Sequence, residues 1–521
     1  MNSNVRRKFI KASAFGAVGL FASSQSKAQI LNNQSQGVIH VSEFGAIGDG
    51  VTDDTAAIQA AIDYASPQGF TILLCNSHLI SSPLQIGKSA NIQGAHPSTR
   101  LVTPNISIAF NFKGSSFNLS RIKTTGVTLV NVEEDFIQLA VSSCDCEGFA
   151  NSVNEYFILF TNTATKFNSL KFYENDGRFM CPIFADGAYE GIIYFENNNL
   201  LESTRFIVRA IGSNGNFLDS IIFKNNQILG MNNSISDSTI AARVVQVDAN
   251  NEVQIESNLI TNLETQGPSN LVYLRSGNLT AINNICRNAH GSEAWIHDKG
   301  VNGGAHIISG NTFDQSSVNT YTMDSIIKIY TGNNFSVKNN EFLNLRCPAC
   351  WIWESVQNPN LTPKRNVIDG NVIRNVFYPF VFKILQPSMN TVISNNIVQG
   401  VSNPDGIVQH GESVPKFLFL YVSVSNGQNL DKVTVQSNMV TEMSTPSEFI
   451  RIYRHAIALS SNISNIMISN NVSDCSESFV KSIGSGIESC IIANNSGSKP
   501  ANVFSAVQTP TKLLEVNNNF S

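Results

Sequence analysis

Apolar and polar positions alternate in short runs along most of this chain, and asparagine interrupts the runs at a near-regular interval. The pattern apolar-x-x-Asn-x-apolar recurs at Asn198, Asn226, Asn258, Asn284, Asn311, Asn340, Asn371, Asn396, Asn438, Asn471 and Asn495, with successive gaps of 24 to 42 residues. Period-2 runs between turns predict strands, and a repeat of this length predicts a solenoid. The fold expected is therefore all-β, a single-stranded right-handed parallel β-helix. Asn suits the turns because it tolerates the left-handed conformation, and its amide both donates and accepts, so stacked copies can form a ladder. A generic Asn-rich loop protein would not hold this phase.

One stretch breaks the pattern. After Gly48-Asp49-Gly50, residues Asp53, Asp54 and Thr55 offer helix caps, and Ala57, Ile58, Ala61 and Ile62 form an apolar stripe at helical spacing. This helix is expected to cover the open edge of the first rung. Asp53 and Asp54 read as capping residues rather than a catalytic pair.

A second strand recurs between the Asn turns, and its outward positions carry the candidate chemistry. Taken in the register the apolar residues suggest, one column reads Gln246, Tyr273, His297, Lys328, Trp353, Phe382, Phe419 and Arg451, with Asp248, Arg275, Lys299, Tyr330 and Tyr453 beside it. Aromatic side chains interleaved with charges suit pyranose rings and their hydroxyls; the competing reading is packing beneath an overlying loop. Tyr273, Arg275, Lys328, Tyr330, Trp353 and Arg451 are the expected substrate-binding set. Asp298, Asp324 and Glu354 fall on consecutive rungs and, with His297, form the expected catalytic set. Glycoside hydrolysis requires carboxyls about 5–5.5 Å apart for retention or about 6.5–9.5 Å for inversion, and rung spacing comes close to both. An eliminase would instead take its base from His297, Lys328 or Tyr330, with Ca²⁺ as the one cofactor such chemistry could add.

Composition narrows the partners. Charged residues make up 14%, and the first 28 residues hold five of the 34 basic residues and no acidic one. The remainder carries 29 basic against 39 acidic residues, which gives no support to a nucleic-acid partner. Against that background the bases Arg275, Lys299, Lys328, Arg451 and Arg454 point to an anionic glycan. Arg6-Arg7-Lys8-Phe9-Ile10-Lys11 resembles a twin-arginine export signal, with a short apolar run after it and a small-residue cleavage site at Ser26-Lys27-Ala28. Export to the periplasm or exterior is the expectation, without a membrane span. Nine cysteines, including Cys144-x-Cys146 and Cys347-x-x-Cys350, read as buried core residues or a local disulfide rather than zinc ligands.

The run Val41-Ser42-Glu43-Phe44-Gly45-Ala46, followed by Gly48-Asp49-Gly50-Val51-Thr52-Asp53-Asp54-Thr55-Ala56-Ala57-Ile58-Gln59, resembles the N-terminal signature of the pectate-lyase-like superfamily. Rhamnogalacturonases, sugar epimerases, family 28-related glycosidases and phage tailspikes share it. With the twin-arginine signal peptide read over 1–28, the resemblance implies a cap and first coil over 29–104 and the β-helix over 105–521. It also implies an exported hydrolase or lyase acting on a polysaccharide, with a sugar epimerase or a non-catalytic glycan-binding or structural β-helix as alternatives. A tailspike-like protein would be a homotrimer. The polygalacturonase Asn-Thr-Asp and Gly-His-Gly motifs are missing, so none of that family's catalytic residues carries over. The long coil between Asn396 and Asn438, with Asp405, His410 and Glu412, is the next place to search.

Overall fold

The computed structural model describes residues 37–521 except 149–155, 162–164, 204, 213–216, 233–241, 265–268, 289–293, 299–303, 317–323, 331–333, 354–364, 386–389, 403–415, 425–429, 445, 455–462, 484–486 and 507–511. The export segment, Lys299, Glu354, Asp405, His410 and Glu412 lie outside the described residues. Val38–Ser521 is one compact unit.

Three short strands make a rung, as in Ile192–Glu196, Asn199–Ser203 and Phe206–Ala210, and each pairs in parallel with its equivalent one rung on. The architecture is a right-handed parallel β-helix. Pairing continues across position 104, where Leu84–Ile86 joins Ile108–Phe112. Inward residues stack on their own kind: Phe172, Phe195 and Phe223 lie 4.9 Å apart, and Phe419, Phe449 and Phe479 lie 4.9 and 4.6 Å apart. Such pairs add about 0.5–1.5 kcal/mol each beyond the apolar area they bury.

The corner between the first and second strands carries the ladder. Asn340 is typical: its N–H and Nδ2 both donate to Asn371 Oδ1 (3.0 and 3.0 Å), and its Nδ2 also donates to the Ile308 carbonyl (2.9 Å). Its own Oδ1 accepts the Asn311 N–H and Nδ2 at 3.0 and 2.9 Å. The same bonding extends beyond the sequence pattern, from Asn175 at one end to Asn518 at the other. One expectation is corrected. The ladder Asn does not take the left-handed conformation; the residue before it does, as at Asn225, Asn283, Asn339, Asn395 and Asn494 (φ +53 to +56). Where that residue is Gly310, an added Cβ would fall 2.4 Å from Asn283 Oδ1. The two asparagines of each Asn-Asn step therefore have different tasks, one conformational and one hydrogen-bonding.

Helix α1 (Thr55–Ala65) packs Ile58, Ala61, Ile62 and Ala65 against the first rungs, as its stripe predicts. The capping expectation holds only for Asp53, which accepts the Thr55 N–H at 3.0 Å. Hydrogen bonds from Ser81 and Thr55 hold its carboxyl down at about 2. Asp54 makes no side-chain cap; it is buried, accepting from the Ile47 and Gly48 N–H groups (2.7 and 2.9 Å) and lying 2.7 Å from His78 Nδ1. Its role is to pin the glycine loop onto the first coil.

All nine cysteines are free, and all but Cys75 are buried. Burial pushes the Cys144 thiol up to about 12, so these are inert core residues and not a local disulfide.

Candidate functional site

Register fixes which residues share the outward column of the third strand. It runs Phe184, Arg209, Gln246, Tyr273, His297, Lys328, Trp351, Lys383, Tyr421, Arg451 and Lys481, each paired with the next one rung on. Successive members are about 4.8 Å apart.

The sequence register is right at Gln246, Tyr273, His297, Lys328 and Arg451 and slips at three places. Trp351 stands where Trp353 was expected, Lys383 where Phe382 was, and Tyr421 where Phe419 was. Phe382 and Phe419 are fully buried inward residues. On each rung two consecutive core residues precede the column, as Leu271-Val272, Val381-Phe382 and Phe419-Leu420 do; at the three slips further apolar residues beside that pair hide where it begins, so the count starts at the wrong residue. Trp353 lies opposite Leu385, outside the column.

At its N-terminal end the column is built on two carboxylates and two guanidiniums. Arg209 Nε lies 3.0 and 2.8 Å from the two Asp186 oxygens, and Ile211 N–H donates to Asp186 Oδ1 at 3.2 Å. Asp248 is buried, accepts the Gly212 N–H at 3.0 Å and lies 3.5 Å from Arg275 Nη1. Burial raises the Asp248 carboxyl above its usual range; Arg275 opposes this and the Asp186 charge adds to it.

In the middle, the Arg243 guanidinium covers Tyr273 at 3.8 Å, Tyr273 meets the His297 ring edge-on at 5.2 Å, and His297 stacks on Tyr330 at 5.4 Å. Lys328 is 3% exposed and bound to Asp324. Two ammonium groups reach one indole: Lys328 Nζ lies 4.6 Å and Lys383 Nζ 3.7 Å from the Trp351 ring. Among the described residues no carboxylate forms an ion pair with Lys383. Burial brings its pKa down to about 8, with Asp324 pulling it up and Lys328 pushing it further down. Tyr421 is the next member, its phenol raised by burial.

At the C-terminal end Glu448 is fully buried against Arg451 Nε (2.8 Å), with Lys481 and Lys416 at 3.3 and 3.5 Å. Burial pushes Glu448 up, but the Arg451 hydrogen bond and the three cations outweigh it and hold the carboxyl below its usual value. Lys416 is answered in turn by Glu477 at 2.6 Å.

Asp298 is placed differently from expectation. It occupies the inward column between Leu274 and Ile329, is 3% exposed, and lies 3.3 Å from buried His306 Nε2. It does not share a cleft with Asp324. The residues missed in the sequence are Trp351, Lys383, Tyr421, Glu448, Asp186 and Arg209. A usable signal existed: a lone charge inside an otherwise apolar run, as in Phe-Val-Phe-Lys383-Ile-Leu and Phe-Ile-Val-Arg209-Ala. Among the described residues no group of three or more His, Cys, Asp or Glu side chains converges as a metal site.

Three-strand rungs, a carboxamide ladder at one corner, a capping helix and a polar column on the third sheet make a parallel β-helix that fits the pectate-lyase-like superfamily. Residues 38–269 match the family model described as rhamnogalacturonase A/epimerase, pectate lyase-like. No curated relative matches the sequence. Similar solved structures include the A-module of an Azotobacter vinelandii mannuronan C-5 epimerase, at 13% identity, 92% of this chain, 99% of that one and a TM-score of 0.26. The catalytic unit of a thermostable α-1,3-glucanase from Streptomyces thermodiastaticus is similar at 12% identity, 97% and 71% coverage and 0.29. The Streptococcus pneumoniae surface protein and adhesin PfbA is similar at 14%, with 93% and 97% coverage and 0.25. Likenesses this distant say nothing about activity. No helix among the described residues is long and apolar enough to cross a membrane.

Proposed function

We propose that this carbohydrate-active protein is exported by the twin-arginine route, binds an acidic polysaccharide along the third-sheet column, and cleaves it by β-elimination. The observation that carries the reading is Lys383, a half-buried amine 3.7 Å from an indole face, with no described carboxylate partner and a pKa of about 8. A group poised near the working pH suits a general base. In the free-amine form Lys383 takes the proton on the carbon next to a uronate carboxylate. The C–H electron pair becomes a ring double bond, and the glycosidic C–O bond on the adjacent carbon breaks. The leaving oxygen takes a proton from Tyr421, one rung away.

The test is incubation with a panel of uronate-containing polysaccharides, homopolymers and heteropolymers alike. Elimination yields an unsaturated uronate that absorbs in the near ultraviolet, with turnover rising as pH passes through about 8. Lys383→Met is expected to lower turnover by at least about 100-fold, the usual worth of a general base. New reducing ends without that absorbance would refute elimination. They would favour hydrolysis at Asp248 and Asp186, a carboxyl raised by burial and one held by Arg209, two rungs or about 10 Å apart.

A further inference from the structure

The column around Lys383 has a charge pattern that reads the same in both directions. Its outer members are cations already neutralised by their own acids, Lys328 by Asp324 and Arg451 by Glu448. Inside them stand two uncharged aromatic rungs, Trp351 and Tyr421. Lys383 occupies the centre, with no carboxylate paired to it among the described residues.

We propose that this column selects a glycan in which a single acidic sugar sits between uncharged neighbours, the acidic unit over Lys383 and the uncharged units over Trp351 and Tyr421. The inference rests on the reading of this face as the glycan site but not on the cleavage chemistry.

A pyranose is comparable in length to a rung, so a linear glycan lying along the column meets roughly one member per sugar. A carboxylate over Lys383 gains a charge-assisted contact. A carboxylate over Tyr421 meets the π system of a ring and loses water without gaining a cation, and one over Trp351 has to share the Lys383 ammonium, 3.7 Å from that ring, with the central carboxylate. One rung further out stand Lys328 and Arg451, buried and bound to Asp324 and Glu448, so a carboxylate there finds no exposed cation. A homopolyuronate incurs these costs on both sides of Lys383. A heteroglycan with isolated acids avoids them, and its uncharged sugars can use the apolar ring edges.

The probes are a heteropolysaccharide with one uronic acid per repeat flanked by neutral hexoses, the same polymer after carboxyl reduction, and a homopolyuronate of similar length. Binding to the full chain is measured by titration calorimetry at neutral pH. The heteropolysaccharide is expected to bind at least about tenfold tighter than either other polymer, the worth of one hydrogen bond to a charged group. Lys383→Met should abolish the advantage over the reduced polymer. Trp351→Lys should shift preference toward the homopolyuronate, and Tyr421→Lys, one rung on the other side of Lys383, supplies the same test if the first variant misfolds. Equal or tighter binding of the homopolyuronate, or no effect of carboxyl reduction, overturns the inference. Selective binding without elimination products refutes only the cleavage chemistry, and cleavage without selectivity refutes only this proposal. Affinity for the acidic polymer should also fall as pH rises through about 8, when Lys383 loses its charge, with Asp324 and Lys328 the charged groups facing it.

Discussion

Replacing Asn340 by leucine separates the two tasks of the Asn-Asn step. The substitution removes the acceptor used by the Asn311 N–H and Nδ2, and the donor used by the Ile308 carbonyl, all buried. Asn371 Oδ1 keeps the backbone N–H of position 340, so it is not orphaned. Each buried group left unpaired costs about 1–3 kcal/mol, which puts the loss near 4 kcal/mol even if the neighbouring rungs relax to recover part of it. The damage is local, because each rung touches only its neighbours. The sensitive assay is therefore amide hydrogen exchange at Asn311, expected to speed up about a thousandfold at about 1.4 kcal/mol per decade. Asn339→Ala, by contrast, forces alanine into φ +53 and should cost only about 1–2 kcal/mol, while Asn339→Gly should cost little. If Asn340→Leu perturbs exchange no more than Asn339→Ala, the ladder is not the main fastening of this corner.

Thiol reagents should modify only Cys75 readily in the folded protein and all nine cysteines after unfolding; rapid reaction at Cys144 or Cys490, both held at about 12 by burial, would contradict the core assignment. Asp298→Ala leaves His306 buried beside an apolar gap and should destabilise the fold by about 3–5 kcal/mol, read as a clear drop in melting temperature. Asp324→Asn removes the carboxylate bound to the buried Lys328 ammonium and should also lower the melting temperature, but by less than Asp298→Ala because Asp324 is partly exposed. Changing Arg6 and Arg7 together to Lys should retain the protein in the cytoplasm on cell fractionation, and normal export of that variant would remove the twin-arginine reading.

Fold and site were unequally legible in the sequence. The ladder was visible because each Asn answers a local demand repeated at every corner, so one rung's sequence predicts the next. The column was legible from Gln246 to Lys328, where one polar or aromatic residue follows an aliphatic pair or its equivalent. It was lost around Trp351, Lys383 and Tyr421, where extra apolar residues flank the two core residues that precede the column, so no local pattern marks which residue begins the pair. Asp298 was misread for a different reason. A charged residue is normally taken as outward, and the distant His306, brought alongside by the rung geometry, helps to make an inward aspartate tolerable. Lys383 was hidden by its apolar neighbours, which are also what make its amine unusual.

The ladder also bears on how the protein ages. Deamidation of asparagine requires the next backbone nitrogen to swing onto the side-chain carbonyl. In this fold that nitrogen is fixed to the previous rung, as Gln227 N–H is to the Asn198 carbonyl (2.8 Å) and Ile285 N–H to the Asn258 carbonyl (2.9 Å). The amide it would attack is held at both ends. A chain rich in Asn-Asn steps, chemically fragile when extended, is thus shielded for as long as its rungs stay stacked. The first lost amide would place an acid in the stack with no donor to pass on, so chemical wear should spread from rung to rung outward from that break.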